Sequence, residues 1–158
     1  MKKVTLRSIH PEDMPFLARV YASTRQLELA QTGWPQYVID AFLQQQFDYQ
    51  HAYYTENYLG AKFQVIMSDK VDVGRFYVVD WEKTIRIIDI ALLPDWRGQG
   101  IGSYLLNRII QRSIAKRITV SIHVEQNNPA VSLYRRLGFE KAGEHGIYHL
   151  MERPPIPQ

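Results

Sequence analysis

Cysteine is absent from this 158-residue chain, and its absence excludes both disulfide bonds and thiolate metal sites. Long apolar runs are also missing, since stretches such as "IALL" and "FYVV" fall far short of the roughly 20 residues that a membrane-spanning helix needs. The start, "MKKVTLRSIHPED", contains no apolar segment of signal-peptide length. We therefore expect no membrane partner, and the cytoplasm is the expected location.

Strong charge bias is missing as well. The formal net charge is +3, and most of the excess lies between Arg97 and Arg136. This mild excess fits either a solvated surface or a site for a polyanionic ligand. No run of five or more basic residues interleaved with aromatics is present, so nucleic-acid binding is not expected.

The residues that are present predict one globular domain. Hydrophobic residues make up 46% of the chain and charged residues 22%, and both are spread along its whole length. We expect a single domain over residues 1–152 and a C-terminal tail over residues 153–158, "RPPIPQ".

Periodicity predicts the order of the elements. One strand and two helices come first, followed by a three-strand meander, a helix over about 101–115, a strand, a short helix and a terminal hairpin. This order of about seven strands and four helices predicts an α+β fold, with a mixed, mostly antiparallel sheet covered by helices on both faces.

The segment "PDWRGQGIGSY" has glycine at Gly98, Gly100 and Gly102, directly before the predicted helix that starts near Ile101. A helix N-terminus offers unpaired N–H groups and partial positive charge, and glycine lets an anion approach the bare backbone. The alternative is a flexible connection with close packing of helix on sheet. The Walker and dinucleotide-binding spacings do not fit.

Two segments together resemble a known family. "LLPDWRGQGIG" and, downstream, "NNPAVSLYRRLGF" are similar to the cofactor-binding segments of the GCN5-related N-acetyltransferases (GNAT), and "LRSIHPEDMPFL" agrees with that family's N-terminus. The resemblance implies a GNAT-like fold and a single acetyltransferase domain. It also implies acetyl-CoA as the acyl donor and direct transfer of the acetyl group to an amine.

The resemblance also implies which residues bind the cofactor. Ile90, Ala91 and Leu92 would lie beside the pantetheine arm, although their apolar side chains have a sufficient reason to be core. The diphosphate would be bound by the following residues: Arg97, Gly98, Gln99, Gly100, Ile101, Gly102 and Ser103. Asn127 matches the family asparagine that contacts the cofactor arm. The neighbouring Asn128 is an alternative, and helix capping is the other explanation for either residue.

Catalytic roles come from the same resemblance. Tyr134 would protonate the departing coenzyme A thiolate, and packing is its alternative role. Asp89, an acidic residue in the apolar run "RIIDIALL", is the first candidate for the general base, or else a hydrogen-bonded residue at a strand bulge. His123 is the second candidate. Water is the third, and no metal is expected.

The acceptor is expected to be an amine of a small molecule or peptide, and a homodimer is left open. The acceptor wall would come from "GWPQYVIDAFLQQQFDYQHAYYTENY", which supplies the following residues: Trp34, Tyr37, Gln46, Gln50, Tyr53 and Tyr54. Their amide and aromatic groups favour a small polar or aromatic amine. Two other functions remain open: a regulatory module that binds acetyl-CoA or CoA without catalysis, and a nucleic-acid or protein-binding domain.

Overall fold

The computed structural model describes residues 2–158 and confirms the α+β class. Over this range the elements are β1 (Val4–Ser8), α1 (Met14–Ala30), α2 (Gln36–Asn57), β2 (Lys62–Ser68), β3 (Val71–Asp80), β4 (Thr84–Leu92), α3 (Ile101–Lys116), β5 (Thr119–Glu125), α4 (Ala130–Arg136), β6 (Glu140–His145) and β7 (Tyr148–Arg153).

The strands form one sheet in the order β1-β2-β3-β4-β5-β7-β6. Every neighbouring pair is antiparallel except β4 and β5, which run parallel. Helix α3 makes this parallel pair possible because it carries the chain from the end of β4 back to the start of β5.

Helices cover the sheet on both faces, and each side has its own apolar cluster. The larger cluster includes one side of α3, where Ile101, Leu105 and Ile109 recur at four-residue spacing and are buried. The smaller cluster includes Leu17 of α1 and Leu43 of α2. The sheet is thus fixed between the two helix layers.

Strands β4 and β5 pair over only part of their length. Their ladder ends at the pair Ile87 and Ile122. Beyond that point β4 continues to Leu92, still paired with β3, while β5 continues paired with β7. We call the gap between residues 88–92 of β4 and 123–125 of β5 the wedge. Among residues 2–158, no strand pairs with the side of β4 that faces it.

A β-bulge lies where the wedge begins. Tyr77 pairs with Asp89 while the next residue of β3, Val78, pairs with Ile87, so Ile88 is an extra residue in β4. A bulge bends its strand and re-aims the following side chain. Asp89 is therefore oriented by the irregularity that opens the wedge.

The end of the chain is held to the domain. Strand β7 includes Arg153, which the sequence prediction assigned to the tail. Arg153 Nε donates to the carbonyl oxygen of Leu137 (2.7 Å), and Nη1 donates to the carbonyl oxygens of Pro154 (2.9 Å) and Ile156 (3.1 Å). The buried guanidinium thus ties residues after β7 to the end of α4.

Within residues 2–158, no helix combines the length and the apolar character required to cross a bilayer. In the same range, no three histidine or acidic side chains are grouped so that they could hold a metal ion.

Gly74 of β3 lies close against the backbone of β4. A Cβ at this position would lie 2.2 Å from the carbonyl oxygen of Ala91 and 2.9 Å from Cδ2 of Leu92. We expect Gly74→Ala to lower the free energy of unfolding by about 3 kcal/mol, because backbone must move to relieve the clash. Urea denaturation measures this change.

The matched control is Gly143→Ala in β6, where the nearest atom to a new Cβ is 4.0 Å away. This variant should stay within about 0.5 kcal/mol of the wild type. Equal stability of the two variants would contradict the close approach at Gly74.

Candidate active site

The loop before α3 leaves its backbone bare. Gly98 and Gly100 have φ of 72° and 87°, in the left-handed region that favours glycine, and Gly100 is the N-cap of α3. No side chain caps this helix end. The first N–H groups of α3 therefore have no intrahelical partner and carry the positive end of the helix dipole. We call residues 98–103 the glycine cradle.

Gly102 has no structural reason within the chain to be glycine. Its φ lies outside the left-handed region, and a Cβ added to it would have nothing within 4 Å. Glycine inside a helix costs about 1 kcal/mol relative to alanine. Close packing of helix on sheet, the alternative left by the sequence, is therefore not the explanation. The open space beside Gly102 admits a group from outside the chain.

The polar side chains of the loop bind the protein itself. Arg97 Nε donates to the carbonyl oxygen of Leu92 (2.9 Å), and Arg97 Nη2 lies 3.3 Å from Ser23 Oγ. Gln99 Nε2 donates to the carbonyl oxygen of Asp95 (2.8 Å). The cradle consequently presents main-chain groups, and a contact from Arg97 to a bound anion stays a prediction.

The wedge continues from the cradle along β4. Ile90 and Leu92 pack against the larger core, as their apolar character predicted. The backbone of residues 88–92 pairs with β3 on one edge only. A free strand edge presents alternating N–H and C=O groups to an extended ligand. Ala91 lies in the middle of this edge.

The two asparagines before α4 have different surroundings. Asn128 Oδ1 accepts a hydrogen bond from the backbone N–H of Ala130 (2.8 Å), the first residue of α4, although the N-cap residue itself is Pro129. Asn127 is exposed beside it. This hydrogen bond gives Asn128 a structural role, and Asn127 keeps its predicted contact with a cofactor arm.

Tyr134 is buried, with 4% of its surface exposed, and its ring lies 5.7 Å from that of Phe139. Burial, together with the negative charge of Asp89, raises the pKa of the Tyr134 phenol above its usual value. The phenol therefore holds its proton at neutral pH. Tyr134 is also close enough to Asp89, at the start of the wedge, for the negative charge to affect it.

Asp89 belongs to a polar network on the α1 and α2 side of the sheet. Its Oδ2 accepts hydrogen bonds from Arg75 Nη2 (2.6 Å) and from Tyr54 Oη (3.0 Å). Arg75 Nη2 also donates to Gln50 Oε1 (2.8 Å). We call these four residues the Asp89 network. Asp89 is thus both a hydrogen-bonded residue at a bulge and a residue at the wedge.

His123 lies on β5 just beyond Ile122, the last residue that pairs with β4. Its Nδ1 is 3.4 Å from Arg86 Nη1. Partial burial, together with the positive charge of Arg86 and the nearby His145, lowers the pKa of His123. The imidazole is therefore neutral at pH 7. Asp89 and His123 begin the two sides of the wedge.

The family assignment agrees with this geometry. The sequence profile of the acetyltransferase (GNAT) family matches residues 21–139, about three quarters of the chain. The chain belongs to the GNAT family. The matched range contains the glycine cradle, the wedge and Tyr134.

Curated relatives resemble parts of this GNAT chain. The mycothiol acetyltransferase of Corynebacterium aurimucosum is 43% identical over 61 residues, which are 37% of this chain and 20% of that protein. The peptidyl-lysine N-acetyltransferase YjaB of Salmonella typhimurium is 35% identical over 63 residues, 40% of this chain and 41% of that protein. The matches thus span less than half the length of these relatives.

Solved structures resemble it over nearly its full length. The PaiA N-acetyltransferase from Thermoplasma acidophilum, in complex with coenzyme A, has a TM-score of 0.70 at 18% identity and covers 96% of this chain and 99% of its own. The ribosomal-protein-S18-alanine N-acetyltransferase from Escherichia coli has a TM-score of 0.61 at 17% identity, covering 99% and 96%. These likenesses confirm the predicted GNAT fold.

Only part of the predicted acceptor wall reaches the wedge of this GNAT domain. Gln50 and Tyr54, one turn apart on α2, belong to the Asp89 network. Tyr37, near the start of α2, is 76% exposed and lies about 25 Å along the helix from Tyr54. Trp34 packs edge-on against Phe42 (5.6 Å). The C-terminal half of α2 is therefore the part beside the site.

Arg75 is a residue of this site that the sequence motifs did not indicate. A signal was available, because "VGRFYVV" places one charged residue in an apolar strand, the same kind of exception that singled out Asp89. Pairing β3 with β4 brings the two exceptions together.

Proposed function

We propose that this chain is an acetyl-CoA-dependent N-acetyltransferase, which moves the acetyl group directly to the amine of a small, polar or amino-acid-like acceptor. The observation that carries the proposal is the space beside Gly102, where a bare helix N-terminus meets the free edge of β4. Membership of the GNAT family and the coenzyme A complex of the PaiA structure support it.

The described residues fit such a donor. The N–H groups of the glycine cradle would hold the diphosphate, as helix N-termini commonly hold anions. The edge of β4 that does not pair with β3 would hydrogen-bond the pantetheine arm at Ile90 and Leu92, next to Ala91, although the Leu92 carbonyl already accepts from Arg97 Nε. Asn127 would contact the arm from the opposite side. Every contact in this set except that of Asn127 would come from main-chain groups. A strongly basic surface is therefore not needed to bind the diphosphate, and the net charge of +3 is consistent with this site.

When bound, acetyl-CoA would supply the acetyl group: a bond forms between the amine nitrogen and the carbonyl carbon, and the carbon–sulfur bond breaks. The amine loses a proton and the sulfur gains one. Tyr134 would donate the proton to sulfur, because its raised pKa keeps the phenol protonated. Asp89 or the neutral His123 would accept the proton from the amine, directly or through water.

The acceptor side favours a small amine with a planar or apolar part. Tyr58 stacks on Trp81 with ring centroids 6.1 Å apart, and Arg86 lies 4.9 Å over the Trp81 ring. Tyr58 also contacts Tyr54, which donates to Asp89. Aromatic surface therefore extends from the Asp89 network toward solvent.

Gly102→Val tests the donor site without disturbing the fold. We expect the Kd for coenzyme A to rise at least tenfold, because the new side chain fills the space that the diphosphate needs. The melting temperature should stay the same or rise slightly, since valine is a somewhat better helix residue than glycine and its Cβ would have no atom of residues 2–158 within 4 Å. Isothermal titration calorimetry and thermal unfolding give the two readings.

Gly102→Ala is the graded control and should weaken binding less than valine does. If Gly102→Val bound coenzyme A with wild-type affinity, the glycine cradle would not be part of the donor site. A panel of amines, assayed by release of free thiol, then tests transfer itself. A chain that binds coenzyme A but releases no thiol with any amine would instead be the regulatory binding module.

A further inference from the structure

Arg75 is a charged residue at a buried position of the sheet, where apolar side chains are usual. It is 2% exposed, and its partner across the β2–β3 ladder is Val65, which is fully buried. Buried ion pairs can often be replaced by apolar residues without loss of stability, because desolvation offsets their attraction. A contribution to folding stability therefore does not explain why a charged residue occupies position 75.

The guanidinium is fixed from several sides. It lies 5.9 Å from the ring centroid of Tyr21 on α1 and 5.3 Å from that of Tyr77 on β3. Gln50 accepts a hydrogen bond from the same Nη2 that binds Asp89. These two ring contacts and the acceptor on α2 restrict the orientation of the guanidinium, although Arg75 Nε itself has no hydrogen-bond partner among residues 2–158. Its Nη2, which donates to Asp89, is held by Gln50 as well.

Both donors to Asp89 converge on one oxygen. Arg75 and Tyr54 bind Oδ2, whereas Oδ1 has no protein partner among residues 2–158 and is not buried. The Asp89 side chain is 17% exposed and lies beside the bulge that opens the wedge. Because two donors bind Oδ2, rotation of the Asp89 carboxylate is restricted, and the direction of Oδ1 is restricted with it.

We propose that Arg75, Tyr54 and Gln50 are positioning residues that hold Asp89 so that its Oδ1 accepts a hydrogen bond from the acceptor amine. This inference rests on the proposed transferase function. It assigns the acceptor nitrogen a fixed place at the mouth of the wedge, with an N–H directed at Oδ1 and the lone pair free for the thioester carbon. Such orientation raises the rate of transfer, because the amine loses its translational and rotational freedom on binding and not in the transition state.

The test uses Tyr54→Phe and Arg75→Met in the full chain. Tyr54→Phe removes one donor to Oδ2 and keeps the ring, which packs edge-on against Tyr77. Arg75→Met removes the other donor with a flexible apolar side chain of similar length. We expect kcat/KM for the amine to fall about tenfold in Tyr54→Phe and about 100-fold in Arg75→Met. The KM for acetyl-CoA should stay within twofold of wild type in both.

Two further variants keep the test sharp. Arg75→Lys retains a positive charge near Asp89 and should recover part of the lost kcat/KM. Tyr49→Phe removes an exposed hydroxyl on α2 that accepts only from Gln45 Nε2, and it should keep wild-type kinetics. Thermal unfolding shows whether each variant is folded, and Tyr54→Phe supplies the kinetic result if Arg75→Met is unstable.

Each outcome decides the matter. A selective loss of amine kcat/KM, with partial recovery in Arg75→Lys, supports positioning. Wild-type kinetics in Tyr54→Phe, or equal losses toward amine and acetyl-CoA, overturn the positioning role while the transferase function stands. Absence of thiol release by the wild-type chain with every amine overturns the transferase function, and the positioning role falls with it.

Discussion

Replacing Asp89 with leucine will lower the free energy of unfolding by about 3 to 5 kcal/mol, because the substitution leaves Arg75 as an unpaired buried charge. Arg75 is almost completely enclosed, and Asp89 is its salt-bridge partner at 2.6 Å. Gln50 provides only a neutral acceptor. Urea denaturation, followed by circular dichroism, measures the loss.

The matched control combines Asp89→Leu with Arg75→Met. Removing both charges should restore the free energy of unfolding to within about 1 kcal/mol of wild type, since two apolar side chains can pack where the ion pair was. Amine turnover should stay low in the double variant. A double variant as unstable as Asp89→Leu would show that the ion pair is not the source of the loss.

Tyr134→Phe will lower kcat about 100-fold while leaving the Kd for coenzyme A unchanged. The hydroxyl is the proposed proton donor to the departing sulfur, and general acid catalysis commonly contributes 10²-fold or more, in order-of-magnitude terms. The ring contact with Phe139 is kept, so the fold should tolerate the change. Steady-state kinetics and calorimetry give the two quantities.

The exposed Tyr49→Phe on α2 is the control and should have wild-type kcat. The pH profile adds a second check. Because burial raises the pKa of Tyr134, its proton should not be lost below about pH 10, the ordinary tyrosine value. Unchanged kcat in Tyr134→Phe would remove this residue from the mechanism.

The sequence predicted the bare start of α3, because this feature is local. Gly98, Gly100 and Gly102 stand directly before an amphipathic helix, and the cradle is built from consecutive backbone groups. The boundaries of α3 match its period of buried residues closely. Local spacing was sufficient here because a helix N-terminus is made from residues adjacent in the chain.

The acceptor side depended on contacts between distant residues. Asp89 stood out in its strand, but its partners Arg75 and Tyr54 lie 14 and 35 residues away, and a bulge brings its side chain to them. The surroundings of Asn127 and Asn128 likewise differ only in the folded chain, where Asn128 Oδ1 accepts from the backbone N–H of Ala130. No periodicity in the sequence encodes these pairings, because strand register and helix packing fix them together.

By itself the sequence determined the α+β fold, the element order and the bare helix start at Gly98 to Gly102, since each follows from local backbone preference and the spacing of apolar residues. Only the tertiary structure decided where β4 and β5 separate and which oxygen of Asp89 stays free. Those features depend on the register of one strand against another. Register depends on which residues of each strand are buried in the two apolar clusters and on the turns between strands, and that burial involves the whole domain at once.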